Sequence, residues 1–282
     1  MLEKSSIYKM EQWGYNLWNC INRYAERTVT DVRILEAPSI GEQITMGKLH
    51  FYHREFYELE KNSKLGWEQE QMRFLREQRK AVEELRGLYD RARAEMAQAE
   101  ADIFAIHAML LEDAELTRRV LEMIHTEGVT AQYAVHTVSR RVMKTFKSME
   151  DTYMQARASD IRDIMRRVIL RLVNIHPDHS IKGQPVILVS KYILPSEVME
   201  FDRRQILGII TTEDSVDSHT AQILRDFGIP ALIGVPLTAD MEGSTALMDG
   251  HTGLLYLEPT VELTERLRKK YERGGCPEYA CL

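Results

Sequence analysis

Ser218-His219-Thr220-Ala221 stands where an apolar run, Ile206 to Thr211, passes through a polar turn into a short amphipathic helix that ends at Gly228. A histidine at a loop–helix junction faces free N–H groups and the positive end of the helix dipole. Such a place suits a phosphate. An imidazole there is also a nucleophile able to carry a phosphoryl group. The bland reading of His219 is a structural histidine kept from a catalytic ancestor.

Asp217 precedes this position and pulls against it. Two unit charges about 4 Å apart repel by about 1 kcal/mol in water and by about 4 kcal/mol at an effective dielectric of about 20. A carboxylate here therefore opposes a phosphoryl group. Alternatively, Asp217 orients the imidazole or caps the helix. Asp214 adds a second negative charge nearby.

The other histidines read as structural. His107 falls within a helical stretch as a half-buried polar residue, and its spacing to His125 and His136 suggests no metal site. His176 and His179 flank Pro177-Asp178 as a solvated turn. Cys20, Cys276 and Cys281 are too few and too scattered for a disulfide framework, which fits a reducing cytoplasm.

The elements that would position His219 fall into blocks. Residues 1–32 read as a helical leader containing Trp13, Tyr15 and Trp18. Residues 33–52 read as two strands around a turn at Pro38 and Gly41. From about 54 to 173 the signal is helical, with one stripe from Leu75 through Val82, Leu85, Leu88, Ala92 and Met96 to Leu110. Gly128 ends a shorter helix, Thr130 caps the next, and a fourth runs from about Gln155 to Val173. Short apolar runs then alternate with helical pieces, one of them capped at Ser196, as in an α/β layer structure. Residues 261–282 read as a linker helix and tail.

Composition excludes several classes. The 282 residues are 44% hydrophobic and 28% charged, ordinary for a globular chain long enough for two domains. A net charge of -6 argues against general nucleic-acid binding. No apolar run approaches the ~20 residues of a membrane span, and the N-terminus has no signal-peptide core.

The histidine segment resembles the phosphohistidine swivelling domain of phosphoenolpyruvate-utilising enzymes. That pattern reads Gly-Gly-x-Thr-Ser-His-x-(Ala/Ser), then Ala-Arg, then Ile/Leu-Pro-Ala-(Val/Ile)-(Val/Ile)-Gly. Ser218, His219, Thr220, Ala221, Arg225, Ile229, Pro230, Ala231, Ile233 and Gly234 match it. Asp214 and Ser215 replace the two glycines, and Asp217 replaces the threonine. Four more stretches, in order, resemble the N-terminal half of Enzyme I of the phosphoenolpyruvate:sugar phosphotransferase system. They are Ala37 to Ile40 with Gly47-Lys48, Ala101 to Asp113, Ala156 to Ile164, and Val186 to Glu197.

The resemblance implies an α/β phosphohistidine domain with an inserted all-α helical-bundle domain. Its α/β part would comprise 33–53 and 150–260, and its helical part 54–149. It implies His219 as the phosphoryl carrier, Arg157 as its positive neighbour, and Ser218, Thr220 and Arg225 as support of the phosphate site. Arg157 could equally pair with Asp160 or with Asp217. It implies a histidine-containing phosphocarrier as partner, docking near His107, Glu112, Asp113 and Glu115. The barrel domain that binds phosphoenolpyruvate and magnesium is expected to be missing, so no cofactor is expected in this chain. A separate barrel subunit, or a module kept for binding after losing its chemistry, are the alternatives.

Overall fold

A computed structural model describes residues 32–273. The leader helix expected before residue 32, its aromatics and all three cysteines lie outside the described residues.

The helical part contains five helices: α1 Trp67–Glu95, α2 Gln98–Leu111, α3 Ala114–Glu127, α4 Ala131–Lys147 and α5 Thr152–Leu172. Phe74, Ala81, Val82, Leu85, Leu88 and Ala92 recur at helical spacing on α1, and all are buried. Truncating a Leu at such a position to Ala costs roughly 2–5 kcal/mol.

The long stripe expected from Leu75 to Leu110 divides between α1 and α2. Met96 and Ala97 are both extended, and the Ala97 N–H donates to Asp226 Oδ2 at 2.7 Å. The partner lies 129 residues away and no Gly or Pro marks the break, so periodicity alone runs straight through it. Other helix ends follow their local chemistry. Asp113 Oδ1 accepts from the Leu116 N–H at 2.8 Å, Gly128 closes α3 at φ 61°, and Thr130 caps α4. The helix expected from residue 54 starts at Trp67 instead.

Eight strands form one sheet: β1 Arg33–Glu36, β2 Ser39–Ile40, β3 Ile44–Phe51, β4 Val186–Ser190, β5 Ile206–Thr211, β6 Ala231–Ile233, β7 Thr245–Asp249 and β8 Leu254–Leu257. Their order is β1-β8-β7-β3-β4-β5-β6-β2. β3 to β6 pair in parallel and the remaining pairs are antiparallel. β1 and β2 lie at opposite ends of this order, yet only Ala37-Pro38 separates them. So short a link brings the two edges together, and the sheet is rolled up.

Alternation then sorts side chains to two faces. Ile187, Val189, Ile210, Leu232 and Met248 pack inside the roll. Leu188, Ile209 and Ala231 join the core shared with the helices. Three further helices flank the sheet: α6 Pro195–Glu200, α7 His219–Asp226 and α8 Val261–Arg273. α8 sets Leu263 and Leu267 against Leu247 and Tyr256. Ser196 does not cap α6. Pro195 takes the first helical position, Glu197 Oε2 accepts from the Leu194 N–H at 2.9 Å, and Ser196 turns to Asp163.

Partly buried arginines hold the junction between the bundle and the α/β part. Arg54 is bidentate to Glu197 at 2.7 and 2.6 Å. Arg167, on α5, joins Glu84 of α1 to Glu200 of α6. The sequence boundary at residue 150 groups α5 with the α/β part; α5 lies along α4 and α1 of the bundle and carries part of the site.

Candidate functional site

His219 is the first residue of α7, and Ser218 is its N-cap, accepting from the Ala221 N–H at 3.2 Å. Thr220 is buried and donates to the Ile193 carbonyl at 2.8 Å. Arg225 donates to the Val216 carbonyl at 3.0 Å, pinning the loop that leads into α7. These residues hold the junction; none of their bonds is to the imidazole.

The imidazole is met by α5. Residues 157, 160 and 163 are spaced three apart and so share one face of that helix. Asp160 Oδ2 lies 3.1 Å from His219 Nδ1. Arg157 Nη1 lies against the ring nitrogens of His219 and 3.2 Å from Asp160 Oδ2. The Arg157 guanidinium stacks on the Tyr153 ring, 4.4 Å from its centroid. Its Nη2 is buried and lacks a hydrogen-bond partner. Of the two carboxylates open to Arg157 on sequence, the structure selects Asp160.

His107 of α2 completes the cluster. It is 0% exposed, so the sequence expectations of half-burial and of a place on a docking surface are both corrected. It lies against α5 because its turn of α2 faces the bundle core, beside the buried Phe104, Ala108 and Leu111. Its Nε2 is 3.4 Å from Asp160 Oδ1, and its Nδ1 is 3.7 Å from Asp163 Oδ2. Asp163 is itself held by the Ser196 N–H, at 3.0 Å, and by the Ser196 hydroxyl.

Burial dominates the electrostatics but does not decide them alone. It raises the Asp160 carboxyl, yet hydrogen bonds and charge from His107 and His219 outweigh that effect, and Asp160 stays well below the ordinary carboxylate range. Asp163 goes the other way. Its complete burial wins over His107, Arg167 and Ser196, and its carboxyl is raised.

Asp217 is exposed. Ser218 provides the cap and Asp160 faces the imidazole, so both roles open to Asp217 on sequence fall to neighbours. Asp214 turns inward, accepting from the backbone N–H groups of Ser215 at 2.9 Å and Ile193 at 3.4 Å. Burial raises its carboxyl above the ordinary value. Sequence reasoning missed Asp160 as the imidazole's partner and His107 as its neighbour. The available signal was two aspartates facing inward on a helix otherwise lined there by Ala158, Ile161, Ile164 and Met165.

Glu112, Asp113 and Glu115 lie at the turn between α2 and α3, away from this cluster. Glu112 pairs with Arg86 at 2.9 Å, Asp113 caps α3, and Glu115 pairs with Arg118 and Arg119. Those arginines hold the exposed Glu115 carboxyl down at about 2. Beside them α2 exposes Ile106, Met109 (71%) and Leu110, which repeat at helical spacing.

The PEP-utilising enzyme N-terminal model matches residues 39–157, and the PEP-utilising enzyme mobile-domain model matches residues 182–253. The chain belongs to the PEP-utilising enzymes. Within them it is similar to phosphoenolpyruvate-protein phosphotransferase of Bacillus subtilis, at 32% identity over 68% of this chain and 34% of the relative. The Buchnera aphidicola protein of the same name is 28% identical over 85% of this chain and 42% of its own length. The chain thus spans about a third of the length of the first curated relatives it matches. A solution structure of Enzyme I (nEIt) superposes with a TM-score of 0.64 at 28% identity, covering 86% of this chain and 99% of that one. The N-terminal domain of a nitrogen Enzyme I shares the fold, with a TM-score of 0.53 at 22% identity. The chain therefore has the Enzyme I N-terminal architecture: a helical bundle set into an α/β domain. Among its described residues no helix is long and apolar enough to cross a membrane.

Proposed function

We propose that this chain accepts and returns a phosphoryl group on His219, exchanging it with a histidine-containing phosphocarrier protein. The observation that carries this reading is the contact of Asp160 and Arg157 with the one imidazole. Asp160 takes a hydrogen bond from Nδ1–H, which leaves the lone pair on Nε2. Nε2 is then the nucleophile. It attacks the phosphorus of the carrier's phosphohistidine. A nitrogen–phosphorus bond forms here as the carrier's breaks, and the carrier's imidazole departs with the electron pair. The reverse transfer regenerates free His219. Arg157, with Nη2 unpartnered, neutralises the moving phosphoryl oxygens.

Ile106, Met109 and Leu110 support docking of the carrier on α2. The neighbouring acids are already paired with arginines, and exposed ion pairs contribute about 0–1 kcal/mol. Apolar contact at Met109 and Leu110 therefore supplies most of the affinity, with Glu112 and Glu115 setting orientation. Use of phosphoenolpyruvate and magnesium would fall to a barrel domain outside the described residues or on a separate subunit.

The test is to incubate the protein with a complete Enzyme I, its phosphocarrier and labelled phosphoenolpyruvate. Acid-labile label that disappears in His219→Gln and returns to unphosphorylated carrier is expected. Carrier binding without label would mean that the fold serves recognition alone.

A further inference from the structure

We propose that His107, Asp160 and His219 form a binding site for a divalent transition metal of the zinc class, and that occupation of this site switches the imidazole off as a nucleophile. The three side chains offer one ligand atom each, all within 4.8 Å of one another. Asp160 Oδ1 lies 3.4 Å from His107 Nε2 and 3.2 Å from His219 Nδ1. Four-coordinate zinc with bonds of about 2.0–2.1 Å places adjacent ligand atoms about 3.3 Å apart, so two edges of the tetrahedron already have nearly the right length. Rotation of the imidazoles closes the third edge. Two histidines and a carboxylate are a ligand set that zinc accepts, with the fourth position left open.

A second observation points the same way. His107 is wholly buried, and its two ring nitrogens face two carboxylates, Asp160 Oδ1 at 3.4 Å and Asp163 Oδ2 at 3.7 Å. Its Nε2 faces the proposed metal position. Its Nδ1 points to Asp163, which Ser196 holds in place. That is the arrangement by which a carboxylate orients a metal-bound histidine from behind.

The groups around the site decide what binding would do. Metal on Nδ1 of His219 places the imidazole proton on Nε2, so the lone pair needed to attack phosphorus is lost. The proton moves from one ring nitrogen to the other and none is released. Among the described residues Arg157 is the one cation against His219, and it must leave, since its N–H cannot donate to a protonated Nε2. Tyr153, 55% exposed and already stacked on the guanidinium, lies on its way outward. Arginine and metal thus compete for the same imidazole.

The blocking half of the proposal rests on His219 as phosphoryl acceptor, whereas the binding half does not. Cobalt(II) serves as the probe, added to the whole metal-free protein with its three cysteines changed to Ser so that thiolates cannot contribute. One equivalent should produce the intense visible band of tetrahedral cobalt, and zinc should displace it. Asp160→Asn should weaken binding by about 10–100-fold, and Arg157→Ala should tighten it several-fold. Opposite shifts in two folded variants cannot arise from misfolding. Absence of the band, or a band indifferent to both substitutions, would overturn the site. Saturating zinc should slow label transfer to His219 at least tenfold, with recovery on chelation. Label transfer unaffected by bound metal would overturn the switch. A chain that binds cobalt as described but never takes label would sink the phosphoryl-carrier reading and leave the metal site standing.

Discussion

Asp160 lies between two histidines and one arginine, and the chemistry of His219 depends on which of them it serves. As the acceptor for Nδ1–H it leaves the lone pair on Nε2, the nitrogen proposed to react. Asp160→Asn should therefore slow phosphoryl acceptance by about 10–100-fold while the fold persists, as loss of an orienting carboxylate does elsewhere; rapid-quench label incorporation measures this. Asp217 behaves differently. Its exposed position confines its repulsion to the water-like limit, about 1 kcal/mol per pair of unit charges at about 4 Å. Asp217→Thr is expected to raise the rate by no more than about tenfold, and a fall would mean that the carboxylate has a working role. His219 was legible in the sequence because the residues around it are local to one loop and helix. The roles of Asp160 and His107 were not, since they exist only where α5 and α2 are brought against α7.

The bundle reaches the His219 imidazole through α5, so the elements that join the two parts bear on both stability and the proposed function. Glu200 is one such joint, paired with Arg167 at 2.7 Å and His179 at 3.0 Å. Burial raises its carboxyl, but His179 and Arg167 prevail and lower it from 4.5 to about 2. A carboxyl depressed in the folded state stabilises above its unfolded pKa, and that contribution is lost as the pH falls from about 4.5 toward 2. Glu200→Gln should cost about 2 kcal/mol at neutral pH and flatten the acid limb of stability in that window; urea titrations across pH check both. On α2, Met109→Asp should leave thermal stability unchanged, because the side chain is exposed, yet weaken carrier binding by about 10–100-fold in calorimetry. Some helix ends could be read from their own caps, as at Gly128 and Thr130. The break at Met96 could not, because its support comes from Asp226 in a distant helix.

At the scale of the whole molecule, the change of period near residue 180 marked the passage from bundle to sheet, and the apolar runs after it are strands. The early strands join the same sheet, which makes the bundle an insertion. Rolling of the sheet was hidden because it depends on β1 and β2 lying at opposite edges while only two residues part them. That closure, with α6 and α7 packed on its outer face, sets the loop before His219 opposite the inserted bundle. The architecture therefore brings one imidazole against α5. The most direct test is phosphorus–nitrogen correlated NMR on protein labelled through a complete Enzyme I and its carrier. A single nitrogen–phosphorus bond at Nε2 of His219, absent from His219→Gln, is the expected result. Phosphorylation at Nδ1 or at another residue, or no acid-labile phosphate at all, would contradict the account.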